Sequence, residues 1–314
     1  MYKRSSEGQK EAIEDTVDIL LERHTKAGTL AREPIKIQYS TVENKTTLSY
    51  PGKISISNEG KIAVSDSNHN TIVVTDLRGR IQHIIGIGRI GFSDGGFSAA
   101  AFFRPHGIVW KDGSIIVAYT ENHALRKIDP QNKIVTTLVG TGKQGPWISS
   151  GGKGREVAIS SPWDVATKDN LIFIAMAGNH QIWTFDLESD ISRPFAGNGH
   201  ENIIDGENHQ AQLAQPSGLC VYKNKLYFAD SEVSSIREID LEGKLVRTIV
   251  GHGLFVFGHK DGHVDEALFQ HPLGVFATDS MLYVADTYNS AIRVIDLRTQ
   301  CFYVNRKIRY RWNL

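Results

Sequence analysis

Hydrophobic positions along the chain fall into short β-branched and aromatic runs, broken every few residues by Asn, Gly, Asp and Ser. That is the pattern of strand, hairpin and strand, not of long helices. The runs return at a fixed interval. Five prolines open equivalent segments, Pro51-GKISIS, Pro105-HGIVW, Pro162-WDVAT, Pro216-SGLCV and Pro272-LGVFA, at spacings of 54, 57, 54 and 56 residues. After a short turn each is followed by an aligned run: IAVSDSNHNTIVVTD from Ile62, IVAYTENHALRKID from Ile116, FIAMAGNHQIWTFD from Phe173, YFADSEVSSIREID from Tyr227 and YVADTYNSAIRVID from Tyr283. In every run the last Asp (Asp76, Asp129, Asp186, Asp240, Asp296) stands ten residues after a fixed position held by Asp66, Tyr119, Met176, Asp230 and Asp286.

Each unit therefore predicts four strands. The first follows the Pro, the second ends at the fixed position, the third at the last Asp, and the fourth at Gly86, Gly140, Gly197 or Gly251. Four-stranded units repeated about an axis are propeller blades, which bury sheet faces against one another. The expected fold is all-β, a β-propeller portion with four full blades and part of a fifth. Turns within a blade are tight, whereas the links 86–104, 140–161, 197–215 and 251–271 are long. In a propeller these links share one face with the hairpins between second and third strands, and binding most often resides on such loops. Three links place Asp-Gly eleven residues before the next Pro, at Asp94, Asp205 and Asp261, and Gly151-Gly152 takes that place in the fourth. Small or apolar residues recur five and three before the Pro, as Ala100 and Phe102, Val157 and Ile159, Ala211 and Leu213, Ala267 and Phe269, which predicts a turn followed by a plug between blades.

Ahead of the repeat, Ser5 or Ser6 caps a predicted helix with Ala12, Ile13, Val17, Leu20 and Leu21 on one side, ending near Gly28. One possible strand, Ile35–Tyr39, lies in the linker that follows. Among 314 residues, 35 Lys+Arg face 35 Asp+Glu, so the chain lacks the positive excess that would draw it to nucleic acid or an anionic membrane. No stretch approaches the roughly 18 uninterrupted apolar residues of a membrane span. Two cysteines, Cys220 and Cys301, exclude a disulfide scaffold and a CxxC redox pair. With no apolar leader in MYKRSSEGQKEAIEDTVDILLERH, the expected compartment is the cytosol.

The blades and motifs resemble the NHL-repeat propellers, whose unit has a Pro-x-Gly opening, a [VI]-A-D-[ST] strand end and an Asn-His hairpin. VADTYNSAIRVID and FADSEVSSIREID match well, and NHNTI, NHALRKID and NHQIW carry the Asn or His element. ISSPWDV at 159–165, AMAGNHQIW at 175–183, AQPSGL at 214–219 and QHPLGV at 270–275 narrow the resemblance to the NHL repeat-containing protein 2 family, over about residues 5–300. In that family a thioredoxin-like domain precedes a six-bladed propeller. The resemblance implies that residues 1–30 are a helix like the end of the thioredoxin-like domain, whose cysteine motif is absent here. Residues 31–50 are then a linker, 51–304 an NHL β-propeller with repeats beginning at 51, 105, 162, 216 and 272, and 305–314 a divergent basic tail. The match reads as a fragment truncated at both ends, whose unclosed propeller would self-associate.

Several motifs tempt a catalytic reading. GIGRIG at 86–91 and GTGKQG at 140–145 fit G-x-G-x-x-G, but that fingerprint works only where a strand turns into a helix, and these recur at blade boundaries. His259 and His263 lie in a turn-forming Asp-Gly segment, not at i,i+4 on a helix. In a related amidating lyase the zinc histidines follow the Pro of several inner strands. The matching positions here are Gly52, His106, Trp163, Ser217 and Leu273, and one histidine in five cannot make a three-ligand centre. Asp66, Asp230 and Asp286 are expected to accept backbone N–H bonds in their own hairpins. Arg126, Arg237 and Arg293, each three residues before the last Asp, are expected to pack their stems between blades, with Val73 and Trp183 in the other two.

No catalytic, cofactor or metal set is complete, so the expected function is a non-catalytic platform for protein partners through the long-link face. Its candidate contact residues are Phe92, Phe97, His106, Trp147, Trp163, Phe255 and Phe257. The alternatives are a metal-dependent propeller hydrolase or lyase with a site in the central channel, and RNA binding. The latter is opposed by the links, where six Lys or Arg meet eight Asp or Glu.

Overall fold

The computed structural model describes residues 10–31, 46–298 and 303–308. The chain divides into two units, Met1–Thr46 and Thr47–Leu314. Among the described residues the first holds one helix, Lys10–Lys26, with Arg23, His24 and Lys26 in its last turn, the charge sign favoured at a helix C-terminus. No helix among the described residues is long and apolar enough to cross a membrane. The capping serines and the strand expected at 35–39 lie outside the described residues.

The second unit is five antiparallel sheets, one per proline repeat. Blade 1 pairs Pro51–Ile56, Ile62–Asp66, Thr71–Thr75 and Ile81–Ile85 in chain order. Blade 2 pairs Pro105–Lys111, Ser114–Tyr119, Ala124–Asp129 and Ile134–Val139, and blade 3 pairs Pro162–Lys168, Leu171–Met176, Gln181–Asp186 and Ile191–Ala196. Blade 4 is Pro216–Tyr222, Lys225–Asp230, Ser235–Asp240 and Leu245–Val250, and blade 5 is Pro272–Ala277, Met281–Asp286, Ala291–Asp296 and Tyr303–Ile308. Blades 2 to 5 each gain a two-residue outer strand from the preceding link: Gly95–Gly96, Gly152–Lys153, Gly206–Glu207 and Gly262–His263. The fourth strand of blade 5, Tyr303–Ile308, makes a full sheet where a partial blade was expected and takes in part of the expected tail 305–314, of which 309–314 lies outside the described residues.

Alternation along each strand sends one set of side chains to either neighbour. Ala63, Ile72 and Val74 of blade 1 thus share a core with Ile115, Val117 and Tyr119 of blade 2. The plug residues Ala100, Phe102, Val157, Ile159, Ala211, Leu213, Ala267 and Phe269 are all buried, as their spacing predicts. The recurring Gly after each fourth strand has a steric reason. Gly140 holds φ +104°, and a Cβ there would sit 2.3 Å from the His123 carbonyl oxygen; at Gly197 it would sit 2.6 Å from the His180 carbonyl oxygen. The G-x-G-x-x-G segments are therefore crossings of strand over hairpin.

The arginines do more than pack their stems. Arg237 is fully buried, with its guanidinium 2.8 Å from Asp230 Oδ2 and 3.0 Å from Asp205 Oδ1, and it also donates to the carbonyls of Gln212 and Ile204. Arg293 repeats the set with Asp286, Asp261, Leu268 and Lys260. Arg126 meets Asp94 at 2.9 Å and the carbonyls of Ala101 and Ser93. Each Asp-Gly aspartate is thus an anchor, reached by an arginine from the third strand of the blade it leads into. Blade 2 has Tyr119 in place of the inner carboxylate, and its ring lies 5.4 Å from the Arg126 guanidinium carbon. The inner carboxylates also differ from expectation. They accept the amide two residues before their own blade's Pro, at Ser49 (2.7 Å), Ala214 (2.7 Å) and Gln270 (2.9 Å), because the second strand ends beside the entry of the first.

Two polar bonds recur where one blade hands over to the next. A hydroxyl just after the second strand donates to the carbonyl of the next blade's Pro: Ser67 to Pro105 (2.6 Å), Thr120 to Pro162 (2.9 Å) and Ser231 to Pro272 (2.6 Å). This gives the [ST] of the repeat its physical role. The last hairpin residue of blades 1 to 4 accepts the amide just before the next Pro, as in Asn70 accepting from Arg104 at 3.0 Å.

The buried clamp and the hydroxyl contribute unequally. Arg237→Ala strands two carboxylates and should cost about 3–5 kcal/mol in urea unfolding, against about 1 kcal/mol for Ser231→Ala. Burial pushes the Asp94 carboxyl up, but the Thr137 amide and hydroxyl, Arg126 and Arg155 outweigh it and hold its pKa below the usual value. Its stabilisation is therefore full above the unfolded carboxylate's pKa, about 4, and is lost as pH falls through the folded one. Unfolding midpoints measured against pH should fall in acid, and fall less in Asp94→Asn.

Candidate functional site

The inner strands converge on one axis, and a single side chain records it. Lys53, from blade 1, donates to Asp164 Oδ2 of blade 3 at 2.7 Å, to the Ser217 carbonyl of blade 4 at 3.1 Å and to the Leu273 carbonyl of blade 5 at 2.7 Å. An ammonium has three hydrogens to give, and all three are used. Asp164 also accepts the Leu219 amide at 2.9 Å. With side chains 16% and 7% exposed, the pair is a buried tether across four blades and not a poised base or nucleophile.

His106 lies beside this tether. Its Nδ1 donates to the Trp163 carbonyl at 2.9 Å, and the two rings are 5.4 Å apart. Burial, and then the nearby Lys53 charge, push the imidazole below its ordinary pKa, so it is neutral near pH 7 with Nδ1 protonated. Among the described residues no group of three His, Cys, Asp or Glu side chains is placed to hold a metal ion. Next to His106 a cavity of about 840 Å³ opens between blades 1 and 5, lined by Gly52, Lys53, Leu273, Ala285 and Thr287 among others. Its flanks are apolar. Ile54 shares a sheet face with Val64, Val73 and Ile84 on blade 1, and Phe276 shares one with Tyr283 on blade 5. Ile54 is 64% and Phe276 62% exposed.

The seven sequence candidates separate into three groups. His106 and Trp163 stand on inner strands at the axis, and Phe97 packs into the core between blades 1 and 2 as a plug. Phe92, Trp147, Phe255 and Phe257 are exposed on links. Neighbouring links touch in series. Phe92 covers Gly142, Trp147 lies edge-on to His180 at 5.2 Å and approaches Gly199, and Ile203 approaches Gly251.

Phe255 stands apart for a backbone reason. Among the described residues, sixteen of the seventeen non-glycine residues with positive φ sit at four repeating places: before the Pro, at the end of the second hairpin, and in the two tight turns. Phe255 (φ +64°) belongs to none of these, and a bulky side chain in that region is strained. Its ring is 73% exposed, so local packing does not offset the strain.

Sequence reasoning missed the axial lysine and the arginine clamps. The repeat does carry a signal for the latter. The one link lacking the Asp, at Gly151-Gly152, leads into the blade where Trp183 replaces the Arg, so anchor and clamp are lost together. Three of the eight link acids, Asp94, Asp205 and Asp261, are paired with strand-borne arginines, two of which also serve an inner carboxylate.

No family model matches the chain. It is 38% identical to NHL repeat-containing protein 2 of Gallus gallus over 94% of this chain and 45% of that protein. It is 39% identical to the protein Suppressor of quenching 1, chloroplastic, of Arabidopsis thaliana over 93% of this chain and 30% of that protein. The chain thus spans less than half the length of these relatives. A crystal structure of a Bacteroides thetaiotaomicron protein of unknown function shares the fold at a TM-score of 0.61 and 18% identity, covering 82% of this chain and 60% of that one.

The axial geometry sets an expected titration. By NMR the His106 imidazole should titrate below the ordinary histidine value of about 6.5, and its midpoint should rise in Lys53→Met. A midpoint unmoved by that substitution would contradict the role given to the ammonium.

Proposed function

This chain belongs to the NHL repeat-containing protein 2 family, and we propose that its propeller is a non-catalytic platform that binds protein partners through the link face. The observation that carries the reading is Phe255, exposed and strained on the link 251–271, with Phe257 beside it. Strain that local packing does not offset is characteristic of sites kept for contact, and exposed aromatics are the side chains that most often anchor interfaces. Trp147 extends the apolar surface on the link 140–161. Within the same proposal the chain works in a reducing compartment, the cytosol, where Cys220 stays a thiol. That thiol is unpaired, and burial pushes its pKa up.

A channel-metal hydrolase or lyase finds less support, because the axis is occupied by a saturated ammonium and, among the described residues, no three His, Cys, Asp or Glu side chains are grouped to hold a metal ion. RNA binding is opposed by the links, where six Lys or Arg meet eight Asp or Glu. A second partner reading has its own observation. The exposed Ile54 and Phe276 flank the cavity between blades 1 and 5, and we propose that these apolar faces drive self-association.

Three measurements test these readings. Phe255→Gly removes both the ring and the strain, so it should leave the melting temperature unchanged or higher. Combined with Phe257→Ala and Trp147→Ala, it should weaken capture of a cross-linked protein partner by about tenfold or more. Metal analysis of the purified protein should find less than stoichiometric zinc or calcium; one equivalent held tightly would favour the channel enzyme. Light scattering after size exclusion should give a mass above the 34.9 kDa of one chain, and a cooperatively melting monomer would refute self-association.

A further inference from the structure

The handover bond at the second hairpin differs in chemistry from seam to seam. Between blades 1 and 2 the acceptor is Asn70 Oδ1, 3.0 Å from the Arg104 amide. Between blades 4 and 5 it is Ser234 Oγ, 3.3 Å from the His271 amide. At the two middle seams it is an imidazole nitrogen. His123 Nδ1 accepts from Ser161 at 3.0 Å, and His180 Nδ1 accepts from Gln215 at 3.2 Å. An imidazole accepts only while that nitrogen is unprotonated, whereas the amide and hydroxyl oxygens accept at any ordinary pH.

What the bond restrains is costly. Ser161 and Gln215 hold φ +46° and +60° immediately before a proline, and the two histidines hold φ +47° and +51°. Left-handed backbone costs a non-glycine residue about 1 kcal/mol or more, and a following proline narrows the backbone choices further. Each middle seam therefore sets two strained residues face to face through a single proton-sensitive bond. The link that enters blade 3 also carries Trp147, whose ring lies against His180.

We propose that His123 and His180 make the two middle seams of the propeller open in acid while the outer two stay closed. Adding a proton at Nδ1 puts an N–H against the Ser161 or Gln215 N–H, so the acceptor is lost and the link backbone at 161 or 215 is released. Around His123, Glu121 of its own hairpin is the charged group that favours the proton, and Arg104 of the preceding link lies 3.8 Å from Glu121. Around His180 stand Trp147 of the link, Asn179 and Gln181 of its own blade, and Gln215 of the next. Burial, outweighing Glu121, holds the His123 imidazole below its ordinary pKa. The bond's stabilisation is thus complete above the unfolded histidine's pKa, about 6.5, and declines as pH falls below it. This inference does not depend on which partner the link face takes.

The test uses the repeat as its own control. Backbone hydrogen exchange, corrected for the intrinsic rate, is read at Ser161 and Gln215 and at the equivalent Arg104 and His271, at about pH 7.5 and about pH 5.5. Protection at Ser161 and Gln215 should drop about tenfold in acid relative to the other two. In His123→Asn with His180→Asn, which copies the acceptor Asn70 supplies at the first seam, the difference should vanish. Equal loss at all four amides, or a difference that persists in the double variant, overturns the proposal. If the double variant does not fold, the four-seam comparison in the unaltered protein decides it alone.

Discussion

A sheet of four short strands has two faces and cannot bury either by itself, so every blade needs a neighbour on each side. The rest of the structure answers that constraint. Apolar side chains meet across each seam, but the chain must also pass from the outer edge of one blade to the inner edge of the next, and that crossing carries backbone polar groups into a dry boundary. The plug residues fill the volume. The clamps and handover bonds satisfy the polar groups.

The buried guanidinium is the strongest of those answers. A fixed fork of donors fits the problem of satisfying two link carbonyls and two carboxylates from one side chain. At Asp230 burial raises the carboxyl's pKa while Arg237 and the Ala214 amide oppose it, so ion pair and burial depend on each other. Blade 3 takes another route. With Trp183 in the arginine's place, Met176 replaces the carboxylate, Gln181 accepts the indole N–H, and Gly151 replaces the aspartate. In blade 3 all three positions change together, because a lone buried aspartate or arginine there would be costly.

The same division separates scaffold from surface. Repeating positions hold the blades together, and the unrepeated axial Lys53 ties blade 1 to blades 3, 4 and 5. Departures from the repeat are where specific chemistry accumulates. Phe255 departs in backbone conformation, and the imidazoles of blades 2 and 3 depart in the nature of their acceptor. Function in such a fold belongs to its loops and seams, since the blades alone are common to many proteins.

The sequence alone determined the five repeats, the strand order within each blade, the long links and the plug residues, because these follow from periodicity and alternation, which are local properties of the chain; it read the fifth blade as partial, and only the structure shows its fourth strand, Tyr303–Ile308. It also located the aromatic links, though it could not separate Phe97, which is packed, from Phe255, which is exposed. Only the tertiary structure decided what the recurring polar residues do. Lys53 meets partners 111, 164 and 220 residues away, and the Arg237 head reaches carbonyls 25 and 33 residues back. Hydrogen-bond partners so far apart in the chain are chosen by where the blades meet in space, and a single sequence records the residue types but not that meeting.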